Sequence, residues 1–179
     1  KAVHRSIGEL FVHEARRNWR DSAARDTISD TEWTWGRILV AAIAMQRALA
    51  ARLGGDRYVG ILLPPCCGAM LANVTVTLSN RIAVNLNFTT SRDAFASSIA
   101  QCGIRTVLTS RSFLERFPQL PLPDGAAVFI EDLAQTLTPP AKLAALLRAR
   151  LLPASLLSKA ARSQADDVAF VLFSSGSTG

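Results

Sequence analysis

The feature that most constrains the fold of this sequence is a regular alternation of short apolar runs with helical segments between residues 58 and 130. The apolar runs have the length of strands, and the segments between them have helical spacing and capping residues. Strands that alternate with helices in this way form βαβ units, whose right-handed crossovers build a parallel sheet covered by helices on both faces. We therefore predict an α/β fold with an open, doubly wound, mostly parallel sheet. Its strands are predicted over residues 58–63, 82–86, 105–109 and 126–130, and its helices over 66–79, 91–102 and 111–117.

The segments on either side of this alternation complete the predicted organisation. A chain of 179 residues with 49% hydrophobic residues suits one domain, or one domain and a piece of another. Ser29-Asp30 is a turn signal between two short extended pieces within residues 26–35, and Gly54-Gly55 ends the helix that follows. The predicted parts are a helix, hairpin and helix in 1–57, βαβ units in 58–137, amphipathic helices in 138–165, and a strand with a loop in 166–179.

The first two helices have predicted inner and outer faces. Ser6 and Glu9 have the spacing of a capping box at the first helix. Three arginines of that helix, Arg16, Arg17 and Arg20, are interpreted as a solvated face. The predicted apolar stripes are Ile7, Leu10, Phe11, Ala15 and Trp19 on the first helix, and Ile38, Ala42, Met45, Leu49 and Leu53 on the second.

Residues 138–165 allow two interpretations. Leucines alternate with basic residues along this stretch, and Pro153 divides it into two short helices. Leucine stripes of surface helices normally pack on the core, which is the interpretation that the sequence favours. Basic amphipathic helices also lie on anionic membranes, so residues 142–162 are retained as a candidate for peripheral membrane contact.

The last twelve residues combine a predicted strand with a loop of small residues. Val168 to Phe173 is a wholly apolar run that predicts a buried strand. The loop that follows is Ser174-Ser175-Gly176-Ser177-Thr178-Gly179. Its glycines permit close approach of the backbone to an anion, and its N–H groups and hydroxyls can surround phosphate oxygens. It lacks the lysine of a Walker A motif, and a flexible linker of the same composition is the alternative.

The segment Phe173-Ser-Ser-Gly-Ser-Thr-Gly179 closely resembles the phosphate-binding signature of the adenylate-forming enzymes, in which a Pro-Lys-Gly segment follows. Further segments resemble, in consistent order, the bacterial acyl-acyl-carrier-protein synthetases, and within them the 2-acylglycerophosphoethanolamine acyltransferase subgroup. These segments are Val59-Gly-Ile-Leu-Leu-Pro-Pro65, Val84-Asn-Leu-Asn87, Gly103-Ile-Arg-Thr-Val-Leu-Thr-Ser110 and Phe113-Leu-Glu115.

The resemblance implies the first part of the large N-terminal domain of an ATP-dependent ligase. Such an enzyme activates a fatty acid as acyl-adenylate with ATP and Mg²⁺, and passes it to the thiol of acyl carrier protein or CoA. By resemblance the phosphates would be held by Ser174, Ser175, Gly176, Ser177, Thr178 and Gly179. The family's catalytic and magnesium-binding residues would all follow residue 179, so the isolated segment is expected to be inactive. The alternative is a non-catalytic, adenylation-like module that binds a protein or a membrane surface.

Composition narrows the remaining classes of function. The net charge of +6 favours anionic partners, but no nucleic-acid-binding motif accompanies it, and we expect no nucleic-acid partner. Cys66, Cys67 and Cys102 lack zinc or disulfide spacing, and His4 and His13 lack further ligands, so no metal site is predicted. Residues 58–80 carry no charge, but they contain two prolines and several polar residues, so we expect no membrane span. A cytoplasmic location, with contact to the inner face of the membrane, is the expectation.

Overall fold

The computed structural model describes residues 5–26, 30–158 and 167–173. Its strands are β1 (Ser22–Asp26), β2 (Thr31–Thr34), β3 (Tyr58–Leu62), β4 (Ile82–Asn85), β5 (Thr106–Thr109), β6 (Ala127–Phe129) and β7 (Phe170–Leu172). Its helices are α1 (Ile7–Arg17), α2 (Trp35–Leu53), α3 (Cys67–Leu78), α4 (Arg92–Cys102), α5 (Arg111–Arg116), α6 (Ile130–Gln135), α7 (Pro139–Leu151) and α8 (Ala154–Leu157). The predicted elements of residues 58–130 are all present with shifts of one or two residues at their ends, and α6 is an additional helix.

Five strands form one parallel sheet in the order β6-β5-β3-β4-β7. The chain leaves β3 for β4 on one side, and then crosses back to β5 on the other side. Gly60 of β3 lies opposite Val84 of β4 and Val107 of β5, and Val84 lies opposite Val171 of β7. This reversal of direction confirms the predicted open, doubly wound α/β fold, and it places the topological switch point between β3 and β5.

Two hydrophobic cores cover the two faces of the sheet. On one face, α2 and α3 pack against β3 together with α6 and α7, and the predicted α2 stripe is buried as expected. On the other face, α4 and α5 pack against the sheet around Phe95, which is 1% exposed. The caps predicted at Ser6, Ser91 and Gly103 are also present.

The hairpin begins earlier than the sequence indicates. Its strands β1 and β2 pair antiparallel, and the turn includes Asp30 at φ 47°. The prediction placed both strands within 26–35, which is wrong for the first strand. The alanines of β1 give little strand signal, and pairing with β2 stabilises the strand instead. Helix α2 then begins at Trp35, because the Thr34 side chain accepts a hydrogen bond from the backbone N–H of Arg37.

Helix α1 is turned away from its predicted orientation. Ile7 and Leu10 are 46% and 48% exposed, whereas the residues that pack inward are Gly8, Val12 and Ala15. A Cβ atom on Gly8 would lie 3.0 Å from the Cβ of Ser158, so α1 makes its closest approach on the side of its smallest residue. The predicted stripe is therefore wrong at its first two positions.

Arg16 does not belong to a solvated face. Its guanidinium Nε donates to the backbone oxygen of Ala149 at 2.7 Å, and Nη2 donates to the backbone oxygen of Leu152. Burial, and secondarily repulsion from Arg150, lowers the pKa of Arg16 from its ordinary value. Arg16 thus binds the carbonyl groups at the end of α7, where a cation is favourable to a helix C-terminus.

The orientation of α7 reverses the favoured interpretation of residues 138–165. Pro153 separates α7 from α8 as predicted, but the alanines of α7 face the core and its leucines face outward. Ala145 and Ala149 are 3% and 0% exposed, and α7 packs against α2. The leucines were expected on the core because they are the larger apolar residues. The leucines are excluded from the core because the small alanines permit a closer approach between α7 and α2.

We expect Gly36→Ala to lower the free energy of unfolding by about 1–3 kcal/mol, because it overpacks a close helix contact. A Cβ on Gly36 would lie 2.5 Å from the indole ring of Trp19, and the Gly36 N–H donates to the Trp19 carbonyl at 3.0 Å. Denaturant unfolding measures the loss. Gly55→Ala is the matched control, because a Cβ there meets nothing within 4 Å. Equal stability of the two variants would contradict the close packing.

Candidate functional site

The carboxyl ends of the parallel strands define the candidate site. In an open α/β sheet, ligands bind outside these ends and near the topological switch point. Within the described residues, the ends of β3 and β5 flank the switch point, and β4 and β7 end next to them. The last described strand therefore delivers the chain to the functional edge of the sheet.

Strand β7 ends at this edge and precedes the predicted phosphate-binding segment in the sequence. It pairs in parallel with β4, and Val171 and Phe173 pack into the core formed by α4 and α5. The predicted complete burial of this strand is wrong, since Leu172 is 76% exposed. Among the described residues β7 is an edge strand, and β4 is its one neighbouring strand. The candidate residues Ser174, Ser175, Gly176, Ser177, Thr178 and Gly179 lie outside the described residues and directly follow Phe173.

A pair of asparagines lies at the end of β4. The Asn73 and Asn85 amides exchange two hydrogen bonds, with Nδ2 to Oδ1 distances of 3.0 and 2.9 Å, and Asn73 also donates to the backbone oxygen of Ala69. Asn85 lies opposite Leu172 of β7. Sequence reasoning noted Asn85 only within a family-like segment and missed its partner, because no spacing rule joins a helix residue to a strand end. The asparagine pair therefore lies beside the carboxyl end of β7.

The switch point itself contains a small aromatic cleft of about 250 Å³. Phe88 and Phe113 meet edge to face with ring centroids 5.0 Å apart, and Phe117 lies 4.8 Å from Phe113. The Ser110 hydroxyl accepts a hydrogen bond from the N–H of Phe113 at 3.2 Å and so begins α5. Pro64, Ser112 and Arg116 complete the lining. The cleft is predominantly apolar with one cation, which suits a flexible apolar segment that carries a negative group.

Arg111 holds the elements beside this cleft in place. Its Nη2 contacts both carboxylate oxygens of Asp132 at 2.8 and 2.9 Å, and its backbone N–H donates to Glu131 Oε1 at 3.0 Å. The guanidinium also lies over the Phe129 ring at 4.4 Å. These contacts join the start of α5 to the start of α6, and so fix the ends of β5 and β6 relative to each other.

The three cysteines and His13 do not form a reactive cluster within the part of the chain that the structure describes. All three cysteines are free thiols. Burial, reinforced by Asp26, raises the pKa of Cys67, and burial raises that of Cys102, so both remain thiols at neutral pH. Cys66 precedes α3 and lines a cavity of about 240 Å³. His13 is exposed, and His4 lies outside the described residues. Across the described ranges, no group of three His, Cys, Asp or Glu side chains could hold a metal ion.

A protein-family model described as "AMP-binding enzyme" matches residues 11–179. The chain belongs to this family. The match covers every strand of the described sheet and also the sequence that follows β7. The resemblance predicted from Phe173–Gly179 is thereby confirmed at the level of the family.

Solved adenylate-forming enzymes share the fold. VinN in complex with 3-methylaspartate is 18% identical with a TM-score of 0.72, over 98% of this chain and 45% of that chain. The nonribosomal peptide synthetase FmoA3 is 19% identical with a TM-score of 0.73, over 98% of this chain and 17% of that one. O-succinylbenzoate coenzyme A synthetase (MenE) from Bacillus subtilis, in complex with ATP and magnesium ion, is 20% identical with a TM-score of 0.59, over 73% and 34%. The AMP-binding segment thus spans less than half of each of these chains.

Proposed function

We propose that this AMP-binding segment is the N-terminal part of a ligase that activates a fatty acid as acyl-adenylate and transfers it to a thiol. The observation that supports the proposal is the placement of β7, which ends at Leu172 on the carboxyl edge. Phe173 and then the segment Ser174–Gly179 follow it in the sequence. A loop of glycines and hydroxyls at the end of a parallel strand suits phosphate binding, because consecutive N–H groups form a concave anion site.

ATP and Mg²⁺ fit this location in part. The loop residues Ser174, Ser175, Gly176, Ser177, Thr178 and Gly179 would hold the terminal phosphates through backbone N–H groups and hydroxyls. A bound Mg²⁺ would neutralise phosphate charge as pyrophosphate leaves. The described residues provide no carboxylate cluster for that ion. We therefore place the magnesium ligands and the catalytic groups outside the segment, whose own residues bind and orient the nucleotide.

A fatty acid is the substrate that we propose, with acyl carrier protein or CoA as the acceptor. The segments with synthetase-like sequence support this substrate class, and three of them contribute a residue to the lining of the aromatic cleft: Pro64, Ser110 and Phe113. The cleft is predominantly apolar, which suits an acyl chain. The three free thiols agree with a reducing, cytoplasmic location.

The test is carboxylate-dependent exchange of labelled pyrophosphate into ATP, measured with the full-length protein. Fatty acids of several lengths should support exchange, whereas aspartate and benzoate derivatives should not. The isolated segment 1–179 should give no exchange above background, because the groups that neutralise the leaving pyrophosphate would be absent. Exchange with amino acids alone would reject the fatty acid and retain the family.

The same assay decides against a non-catalytic module. A full-length protein that binds no ATP and supports no exchange with any carboxylate would establish the module instead. Exchange by the isolated segment would contradict the proposed division of the site.

A further inference from the structure

The exposed side of α7 carries a continuous ridge of leucines. Leu143, Leu147 and Leu151 recur every four residues and are 58%, 51% and 74% exposed. This spacing places them on one face of the helix, opposite the buried alanines. Leu146 of α7 and Leu156 of α8 extend the apolar surface, at 38% and 60% exposure. We call Leu143, Leu146, Leu147, Leu151 and Leu156 the leucine ridge.

The orientation of the ridge is fixed by contacts on the other side of α7. Ala145 and Ala149 pack against α2, and Arg16 binds the carbonyl groups of Ala149 and Leu152. Rotation of α7 to bury the leucines would break these hydrogen bonds and force larger side chains into a close helix contact. These contacts therefore hold the leucine ridge on the exposed side of α7.

An open groove with two tryptophans borders α7. Its volume is about 490 Å³, and it is lined by residues of α2 and by Trp19, Trp33, Leu137 and Lys142. Arg37 also lines it and lies 4.4 Å over the Trp33 ring, while Arg150 lies 3.8 Å over the Trp19 ring. Tryptophan, with an apolar body and a polar N–H, is enriched where membranes meet water. Lysine and arginine beside it can extend their charged ends to lipid headgroups.

The charged side chains of α7 and α8 are all positive. Between residues 138 and 158 the charged residues are Lys142, Arg148 and Arg150, and there is no aspartate or glutamate. Such a face would repel a second copy of itself, whereas an anionic bilayer complements both its charge and its leucines. None of the helices in the described ranges has the length and apolar character needed to cross a bilayer, so any contact would be at the surface.

We propose that the leucine ridge and the adjoining tryptophan groove dock the protein on the surface of an anionic phospholipid bilayer. The leucines enter the boundary between headgroups and acyl chains, and Lys142, Arg148 and Arg150 contact lipid phosphates. The docking goes beyond the proposed ligase activity and does not require it, since the ridge and the groove contain no residue of the loop or of the aromatic cleft.

The experiment is vesicle co-sedimentation of the full-length protein. Vesicles of phosphatidylcholine mixed with phosphatidylglycerol are compared with vesicles of phosphatidylcholine alone. We expect binding to the anionic vesicles, with at least about a tenfold loss in the triple variant Leu143→Gln, Leu147→Gln, Leu151→Gln. The double variant Lys142→Gln, Arg148→Gln should lose about fivefold per removed charge. The matched control Arg57→Gln, Arg92→Gln removes equal charge from exposed residues that border neither the ridge nor the groove, and it should bind like the native protein.

Circular dichroism and sedimentation velocity of each variant separate the possible occupants of the ridge. Docking on lipid is supported if the leucine variant keeps its melting temperature and its oligomeric state while losing vesicle binding. If the leucine variant melted at a lower temperature and the native protein did not bind vesicles, a later part of the chain would be covering the ridge. A change from dimer to monomer would show that a second copy covers it, and either result overturns the proposal. Loss of lipid binding with retained pyrophosphate exchange distinguishes this inference from the proposed function.

Discussion

We expect the Gly176→Val variant of the full-length protein to form adenylate at least about a hundredfold more slowly than the native protein. Phosphate oxygens approach a backbone N–H cradle closely only where no side chain intervenes, and a valine at this position occupies that space. Loss of one preorganised donor at a developing charge typically slows a reaction by about 10²–10³-fold. The expected loss follows from the position of Gly176 within the predicted phosphate-binding segment 174–179. Pyrophosphate exchange and single-turnover formation of acyl-adenylate measure it.

The control for this variant is Gly55→Val, which adds the same side chain where a Cβ meets nothing within 4 Å. It should retain the native rate, since Gly55 lies between α2 and β3, at the amino end of that strand and away from the carboxyl edge at which β7 ends. Ser177→Ala removes one hydroxyl and should cause a smaller loss, of about tenfold, if backbone donors dominate the cradle. A Gly176→Val protein with the native rate would contradict phosphate binding by this loop and would return Ser174–Gly179 to the status of a linker.

The fold was predictable because its signals are local and repeated. Each strand of the central sheet is an apolar run between turn residues, and each intervening helix has its own cap, such as Ser91 or Gly103. Right-handed crossover then leaves few topologies. The candidate phosphate-binding site stays a prediction, made from the seven consecutive residues Phe173–Gly179 alone. The structure adds that β7, which precedes Ser174–Gly179 in the sequence, pairs with β4, and no local pattern encodes that pairing.

The features that the sequence did not reveal depend on distances between separate elements. Asn73 and Asn85 meet only because α3 lies on the face of β4 that carries Asn85. The first strand of the hairpin, β1, is stabilised by its pairing with β2. On α1 and α7, hydrophobic periodicity pointed to the largest apolar residues, whereas close packing selected Gly8, Ala145 and Ala149. Periodicity measures which residues favour burial, but the available space decides which ones receive it.

Leu39→Ala should lower the free energy of unfolding by about 2–5 kcal/mol, the range for removal of a buried leucine side chain. Leu39 is 0% exposed, on the α2 face that packs against the sheet and its neighbouring helices. The loss combines the transfer free energy of the missing methyl groups with the cost of the cavity that remains. Denaturant unfolding of the full-length protein measures it, with the change taken from the shift in midpoint at constant slope.

Leu147→Ala is the matched variant, because it deletes the same atoms from a helix at a position that is 51% exposed. Its effect should stay within about 0.5 kcal/mol, since no cavity forms and alanine favours the helix slightly more than leucine does. The contrast between the two variants tests the orientation of α7 directly. If both variants lost several kcal/mol, the leucine ridge would be buried in the native protein. A loss at Leu147 that grew larger as the protein concentration rose would assign that burial to a second copy, because association stabilises the native state by mass action and the variant would associate more weakly.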